Sequence, residues 1–419
     1  MTMTHFAWQE RLGLLAVMFA AMTWAASALA SDFNACLQAL RTEAADKGIA
    51  TQTFNTAMTG IEPDKSVLDA MGSQPEFVTP IWDYLAGLVD AERIADGKLK
   101  LAEWATVLAQ AEQQFGVDRH TIVAVWGVES DFGKVLGGRP LVRSLATVSC
   151  FGHRQRFFRG ELIATLRILQ SGDMPAEALV GSWAGAFGQT QFMPSTYQRL
   201  AVDFDGDGRR DIVGSVPDAL GSTANYLQRA GWVTGAPWGY EVRLPPQYNG
   251  PSGRRTRQAL ATWSQLGVRR IDGSALTGSW PAALLMPSGA RGPAFIVFKN
   301  FDAIYSYNAA ESYALAIAHL SDRLRGEGPL QTAWPTDDPG LSRAERRAVQ
   351  EMLIERGFDI GKPDGIIGSS TRSAIQAFQA SAGLPADGRA GARVLQALQA
   401  GAPPGYENVA PEPQVPRFE

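Results

Sequence analysis

The chain has 419 residues, enough for roughly two or three domains. Apolar residues make up 45% of it and charged residues 19%, which excludes a largely disordered or fibrous protein. A net charge of −4, with no basic stripe interleaved with aromatics, argues against a nucleic-acid binder.

Residues 1–30 stand apart. Arg11 precedes an apolar run from Leu12 to Met22, and Ala28-Leu29-Ala30 fits a small-residue cleavage site. A cleaved signal peptide and a periplasmic protein are expected; the alternative is an uncleaved anchor, since Leu12 to Ala30 almost reaches across a bilayer. No later stretch is long and apolar enough to span one. The cysteines are Cys36 and Cys150. In an exported chain an even count permits a disulfide, and two buried free thiols are the other reading.

From Asp32 to about Ala230 the apolar spacing is helical. Cys36, Leu37, Leu40 and Ala44 share one face, as do Phe158, Leu162, Leu166 and Leu169. Near Gly235 the texture changes. Tyr240 to Leu244 alternates and Ala294 to Phe298 is β-rich, which predicts a small β subdomain over about 236–302. Tyr313, Ile317, Leu320 and Leu324 return to helical spacing. Residues 329–340, rich in Pro and Asp, read as a linker. Residues 341–398 read as a compact helical module, with Val349 and Leu353, then Ile375 and Phe378, then Val394 and Leu398 as its apolar positions. The tail 399–419 carries many prolines and little to bury, so disorder is expected there. The fold class is therefore mainly α, with a small β subdomain and a three-helix C-terminal module; the main domain occupies 31–328.

One helix carries a candidate catalytic group. Asp118 is a good N-cap, and Ile122, Val125, Trp126 and Glu129 follow at spacings of three and four; Gly133 is placed to stop the helix. A carboxyl group on an apolar face at the negative end of a helix dipole is favoured in its protonated form, as a proton donor requires. A lone Glu at a helix end is otherwise a solvated side chain. No second carboxylate stands beside it, because Asp131 points to a different face.

Asp203-Phe-Asp205-Gly-Asp207-Gly208 fits the calcium-loop pattern, with carboxylates at positions 1, 3 and 5 and Gly at 6. Position 12 is Gly214 and not Glu, and Asp218 can close an extended loop. The candidate metal set is Asp203, Asp205, Asp207, Arg209 and Asp218; the alternative is an ion-free Asp-rich turn. Residues 181–197 are dense in Gly, Gln, Ser and Thr and poor in charge, a lining suited to a neutral polar ligand such as a sugar, although tight helix packing also uses small residues.

Together, Val128-Glu129-Ser-Asp-Phe-Gly133, Gly185-Ala-Phe-Gly-Gln-Thr-Gln-Phe-Met-Pro194, the Asp203 loop and Ser306-Tyr307-Asn308 resemble the membrane-bound lytic transglycosylase B family. These are lysozyme-like peptidoglycan lyases of glycoside hydrolase family 103, and the likeness covers about 32–326. Residues 341–398, with Gln350, Asp364-Gly365, Gly368 and Thr371 to Gln379, resemble a three-helix peptidoglycan-binding module. The resemblance implies a lysozyme-like α+β catalytic domain with Glu129 as the single acid/base. It also implies that Arg154, Ser182, Gln191, Phe192, Tyr226, Tyr307, Asn308 and Tyr313 line the glycan groove. His153 stands where the family has a second arginine. The aromatic stretches Trp232 to Trp238 and Trp263 to Trp280 suit either sugar platforms or core packing.

Ordinary glycosidases use two carboxylates. One suffices if the substrate supplies the nucleophile, and the resemblance implies cleavage between N-acetylmuramic acid and N-acetylglucosamine to a 1,6-anhydro end without water. A hydrolytic muramidase and a non-catalytic wall-binding protein are the alternatives; a calcium sensor is disfavoured by the single, degenerate loop. No organic cofactor is expected, only structural calcium. The expected partners are glycan strands, with no nucleic acid and no membrane anchor, and the protein is expected to act as a monomer.

Overall fold

The computed structural model describes residues 32–72 and 78–401; the leader read over 1–30 and the tail beyond Gly401 lie outside them. Among the described residues no helix is long and apolar enough to cross a membrane. The chain forms two compact units, and neither is continuous in sequence. One holds residues up to 74 and Lys100–Gly235; the other holds 75–99 and everything from Ala236 onward.

The first unit is helical. Its N-terminal helix, 32–46, buries Leu37, Leu40 and Ala44 on one face. Cys36 on that helix is bridged to Cys150, 114 residues on, in helix Leu141–Phe151. Phe33 stacks on Phe151 with ring centroids 5.8 Å apart, so the bridge and an aromatic pair hold the same two helices. Helix Gln155–Ser171 buries Phe158, Leu162 and Leu166 and packs along Leu141–Phe151 and against Pro194–Leu200.

Helix Arg119–Ser130 is buried along most of its length. The Asp118 carboxylate caps it by accepting from the Thr121 N–H at 3.1 Å, and residues 121 to 127 are all buried. It packs against helices Ala105–Phe115 and Val216–Arg229, which also pack on each other. The helix ends at Ser130, earlier than the expected stop at Gly133. Asp131 is its C-cap, and Asp131, Phe132 and Gly133 have φ of 51°, 59° and 84° in succession. Asp is one of the few side chains that tolerates this left-handed region. The Phe132 ring then packs edge-on to Trp126 at 5.7 Å.

The second unit contains a five-stranded antiparallel sheet. Its spatial order is Arg257–Gln258, Ala282–Leu285, Ala294–Val297, Gly239–Arg243 and Arg269–Arg270, with Tyr240 opposite Ile296 and Leu284 also opposite Ile296 on the other side. Strands Ala282–Leu285 and Ala294–Val297 are buried at every position. The core behind them is built on Trp263, whose indole donates to the Ala282 carbonyl at 2.9 Å. Helices Lys299–Tyr305 and Glu311–Arg325 follow.

The C-terminal helices Arg343–Glu355, Ser369–Ser381 and Ala392–Gln399 enclose Val349, Leu353, Ile375, Phe378, Val394 and Leu398. A capping box between Ser342 and Glu345 starts the first of them. The buried Gln350 closes the following loop, accepting from the Gly365 N–H at 2.7 Å and donating to Asp364 and the Ile366 carbonyl at 3.1 Å each. Residues 329–340 are tied down along their length, unlike a free spacer. The main-chain N–H groups of Gln331 and Thr332 both donate to the Glu241 carboxylate at 2.8 Å, and Arg389 binds both Asp338 and Asp83. Arg347 pairs with Glu92 and Arg343 with Asp90. The module is thus fastened to residues 83–92 within its own unit.

Candidate active site

Glu129 occupies the last turn of the buried helix and is itself only partly covered. Two residues that bracket it along the helix are fixed, Trp126 one turn before and Ser130 directly after. Trp126 is 2% exposed and Ser130 1%, and both are hydrogen-bonded to Gln189. A side chain between two such anchors, on a helix buried on all sides, is presented from a rigid base, as general acid–base chemistry requires.

The loop after Gly181 is shaped by its glycines. Gly185 and Gly188 have φ of 94° and 78°, and a Cβ on Gly188 would stand 2.8 Å from the Ile212 carbonyl oxygen. Ser182 Oγ accepts from the Ala186 N–H at 3.0 Å, which closes the turn. Gln191 adopts φ 50°, and its Nε2 donates to the carbonyls of Leu136 and Gly188 at 3.2 and 2.9 Å. Two expected groove residues of this unit divide their work. Phe192 is 1% exposed and packs on Tyr226 at 5.8 Å, so it backs that ring and does not itself form a surface. Tyr226 is partly exposed. Arg154 is exposed, left-handed at φ 60°, and lies over the Phe157 ring at 4.6 Å, with His153 exposed beside it.

In the second unit Tyr307 and Tyr313 stack with centroids 6.3 Å apart. Tyr313 is 2% exposed and supports Tyr307 from behind. Asn308 follows directly, just before Ala309 with its φ of 51°. Of the tryptophans weighed as sugar platforms, Trp263 and Trp238 are 0% and 6% exposed and belong to the core, while Trp280 is 36% exposed.

The Asp203 loop draws together Asp203, Asp205 and Asp218, which offer oxygen atoms all within 4.8 Å of one another. Asp218 is fully buried. Its Oδ1 accepts from the Phe204 N–H at 2.7 Å and its Oδ2 from the Asp211 N–H at 2.7 Å. Burial pushes its pKa up, and the Asp205 charge adds to that, against the main-chain donors. Asp203 accepts from the N–H groups of Gly206, Asp207 and Gly208. Among the described residues no basic side chain bonds to these three carboxylates. An all-oxygen set with uncompensated negative charge fits a hard cation such as calcium. Asp207 stands outside the group: the N–H and guanidinium of Arg209 bond its carboxylate and hold its pKa down. Asp207 is thus the one carboxylate of the expected set turned away from the other three.

Gln189 is not marked by the sequence. Its side chain bonds both the Glu129 helix and the main chain beyond Asp211, through Val213. It shares a Gly- and amide-rich run with Gln191, the residue that the family resemblance singles out.

Comparison with known proteins agrees with this architecture. Residues 32–322 match the Transglycosylase SLT domain family, and residues 342–398 match a peptidoglycan binding domain. The chain is 33% identical over 241 residues to membrane-bound lytic murein transglycosylase B of Escherichia coli (strain K12), across 57% of this chain and 65% of that one. The crystal structure of SltB3 from Pseudomonas aeruginosa in complex with NAG-anhNAM-pentapeptide is similar at a TM-score of 0.71 and 46% identity, covering 88% of this chain and 99% of that one. The Escherichia coli lytic transglycosylase Slt35 in complex with calcium is similar at a TM-score of 0.62 and 28% identity, over 69% and 92% of the two chains. The chain belongs to the SLT family of lytic murein transglycosylases, which are glycosidic lyases.

Proposed function

We propose that the protein cuts the β-1,4 bond between N-acetylmuramic acid and N-acetylglucosamine in peptidoglycan, with Glu129 as acid and then base. The carrying observation is the placement of Glu129 at the end of a buried, capped helix between two anchored neighbours, within a chain of this family. The Glu129 carboxyl protonates the glycosidic oxygen as the bond to C1 breaks. The substrate's 2-acetamido group supports the positive charge at C1. The muramoyl C6 hydroxyl then attacks C1 and returns its proton to the Glu129 carboxylate. The product is a 1,6-anhydro end, the enzyme is regenerated, and no water enters.

Within the first unit Arg154, Ser182, Gln191 and Tyr226 are proposed as glycan-contacting residues, with Phe192 as a support; Tyr307 and Asn308, with Tyr313 behind them, are proposed separately as glycan-contacting residues of the second unit. Asp203, Asp205 and Asp218 are proposed to hold structural calcium, which takes no part in bond breaking; the calcium in the Slt35 structure supports this reading. A cleaved leader and a periplasmic site of action complete the proposal, together with a C-terminal module that contacts the wall.

Digestion of purified sacculi tests the reaction. Mass spectrometry should find anhydromuropeptides, one water lighter than the reducing ends that a hydrolytic muramidase would release.

A further inference from the structure

We infer that Gln189 is a positioning residue for Glu129, the strut that ties the acidic loop to the catalytic helix. The inference rests on the reading of Glu129 as the acid/base.

Four hydrogen bonds radiate from Gln189, two to each side. On the helix side, its Oε1 accepts from the Trp126 indole N–H at 2.9 Å and its main-chain carbonyl accepts from Ser130 Oγ at 2.5 Å. On the loop side, its N–H donates to the Ile212 carbonyl at 2.9 Å and its Nε2 to the Val213 carbonyl at 3.0 Å. Trp126 and Ser130 bracket Glu129 in sequence, one on the turn before it and one directly after. Ser130 Oγ also accepts from the Gly133 N–H at 2.9 Å, so the same serine fixes the left-handed turn that ends the helix. At Gly133 a Cβ would stand 2.2 Å from Gln189 Oε1, so any side chain there would push the amide off its partners.

The loop side leads to the carboxylate cluster in two steps. Val213 N–H donates to Asp211 Oδ1 at 2.9 Å, and Asp211 N–H donates to Asp218 Oδ2 at 2.7 Å. An unbroken run of hydrogen bonds therefore joins Asp218 to Trp126, one turn before Glu129, and to Ser130, directly after it. The side-chain amide of Gln189 bridges the two ends of this run. It fits in one orientation, because a donor must face Val213 and an acceptor must face Trp126. An acid misplaced by about 1 Å through a change remote from the chemistry loses on the order of a hundredfold in rate.

Two variants test the strut. Gln189→Met keeps length and volume and removes both amide bonds. Gln189→Glu keeps an acceptor for Trp126 and sets a second acceptor against the Val213 carbonyl. Each is assayed for kcat and KM on soluble glycan chains, with calcium and with chelator, and for calcium affinity by calorimetry. We expect kcat to fall on the order of tenfold to a hundredfold with KM within about twofold, and its response to chelation to disappear. Calcium should still bind and still raise the melting temperature of both variants, showing that fold and loop persist. Unchanged kcat in a variant that binds calcium overturns the inference, as does a chelation response equal to that of the unaltered chain. Glu129→Gln run alongside separates the two readings. If it keeps its kcat, the acid/base assignment fails whatever Gln189 does. If it is inactive while Gln189→Met and Gln189→Glu keep full kcat, the strut alone fails.

Discussion

Arg389 holds Asp83 through two parallel hydrogen bonds, Nε to Oδ2 and Nη2 to Oδ1, each of 2.6 Å, across 306 residues of sequence. Both side chains are mostly buried, at 23% and 14% exposure, so solvent screens the pair only in part. Arg389→Ala should cost about 1.5–3 kcal/mol of the stability with which the C-terminal helices are fastened. Limited proteolysis should then cut faster between residues 329 and 340, and a cleavage rate equal to that of the unaltered chain would refute the fastening.

Glu129→Gln should leave the melting temperature within a degree or two and lower lysis of sacculi by at least about 10²–10⁴-fold, the range of a single general acid. Turbidity loss of a sacculus suspension measures it. Retention of more than about a tenth of the lysis rate would remove Glu129 from the mechanism.

Calcium should raise the melting temperature, with a stabilisation of about 2.7 kcal/mol at a hundredfold excess over Kd. Because Asp218 has its pKa pushed up by burial, and the ion needs it ionised, calcium affinity should weaken as the pH falls. Asp218→Asn should abolish most of the thermal shift, read by scanning calorimetry with and without chelator.

Helix Glu311–Arg325 carries two titrating groups with opposite signs. Burial pushes the Asp322 pKa from 3.8 up to about 7, against the Trp238 indole that donates to it at 3.0 Å. Burial pushes His319 from 6.5 down to about 4. Between about pH 4 and 7 the folded chain keeps a proton on Asp322 that the unfolded chain has lost, so this group lowers stability as pH rises. Between about pH 4 and 6.5 the unfolded chain carries a proton on His319 that the folded chain refuses, so this group raises stability as pH rises. The slopes, each at most about 1.4 kcal/mol per pH unit, nearly cancel across the shared window. Asp322→Asn should uncover the rising slope and His319→Gln the falling one. Melting temperatures from pH 4 to 7 decide it, and two flat variants would contradict the burial of both groups.

The helix cap and the acidic loop were legible because their signals are local. The Asp118 cap sits three residues from the N–H it accepts, and Asp203 bonds N–H groups within five residues of itself. Signals that depend on distant partners were not legible. The Pro- and Asp-rich run 329–340 reads as a spacer until Glu241, some ninety residues away, appears beneath it. Strand Ala282–Leu285 shows no alternation because both its faces are buried. Phe192 and Tyr313 carry groove motifs yet point into packing, since spacing alone does not distinguish a ring that touches ligand from one that backs it.

The division of the chain also sets an order of assembly. A chain emerges N-terminus first and its domains close as their parts arrive. All of the Glu129 unit is present once Gly235 has emerged, whereas residues 78–99 belong to a unit in which Arg347 follows Glu92 by 255 residues and Arg389 follows Asp83 by 306. Until then Asp83, Asp90 and Glu92 wait without the cations that bind them, Arg389, Arg343 and Arg347. A chain ended near Gly328 stays in that waiting state permanently. Shortening this enzyme is therefore a different operation from cutting a tether: it strands an early segment and should broaden the melting of whatever remains.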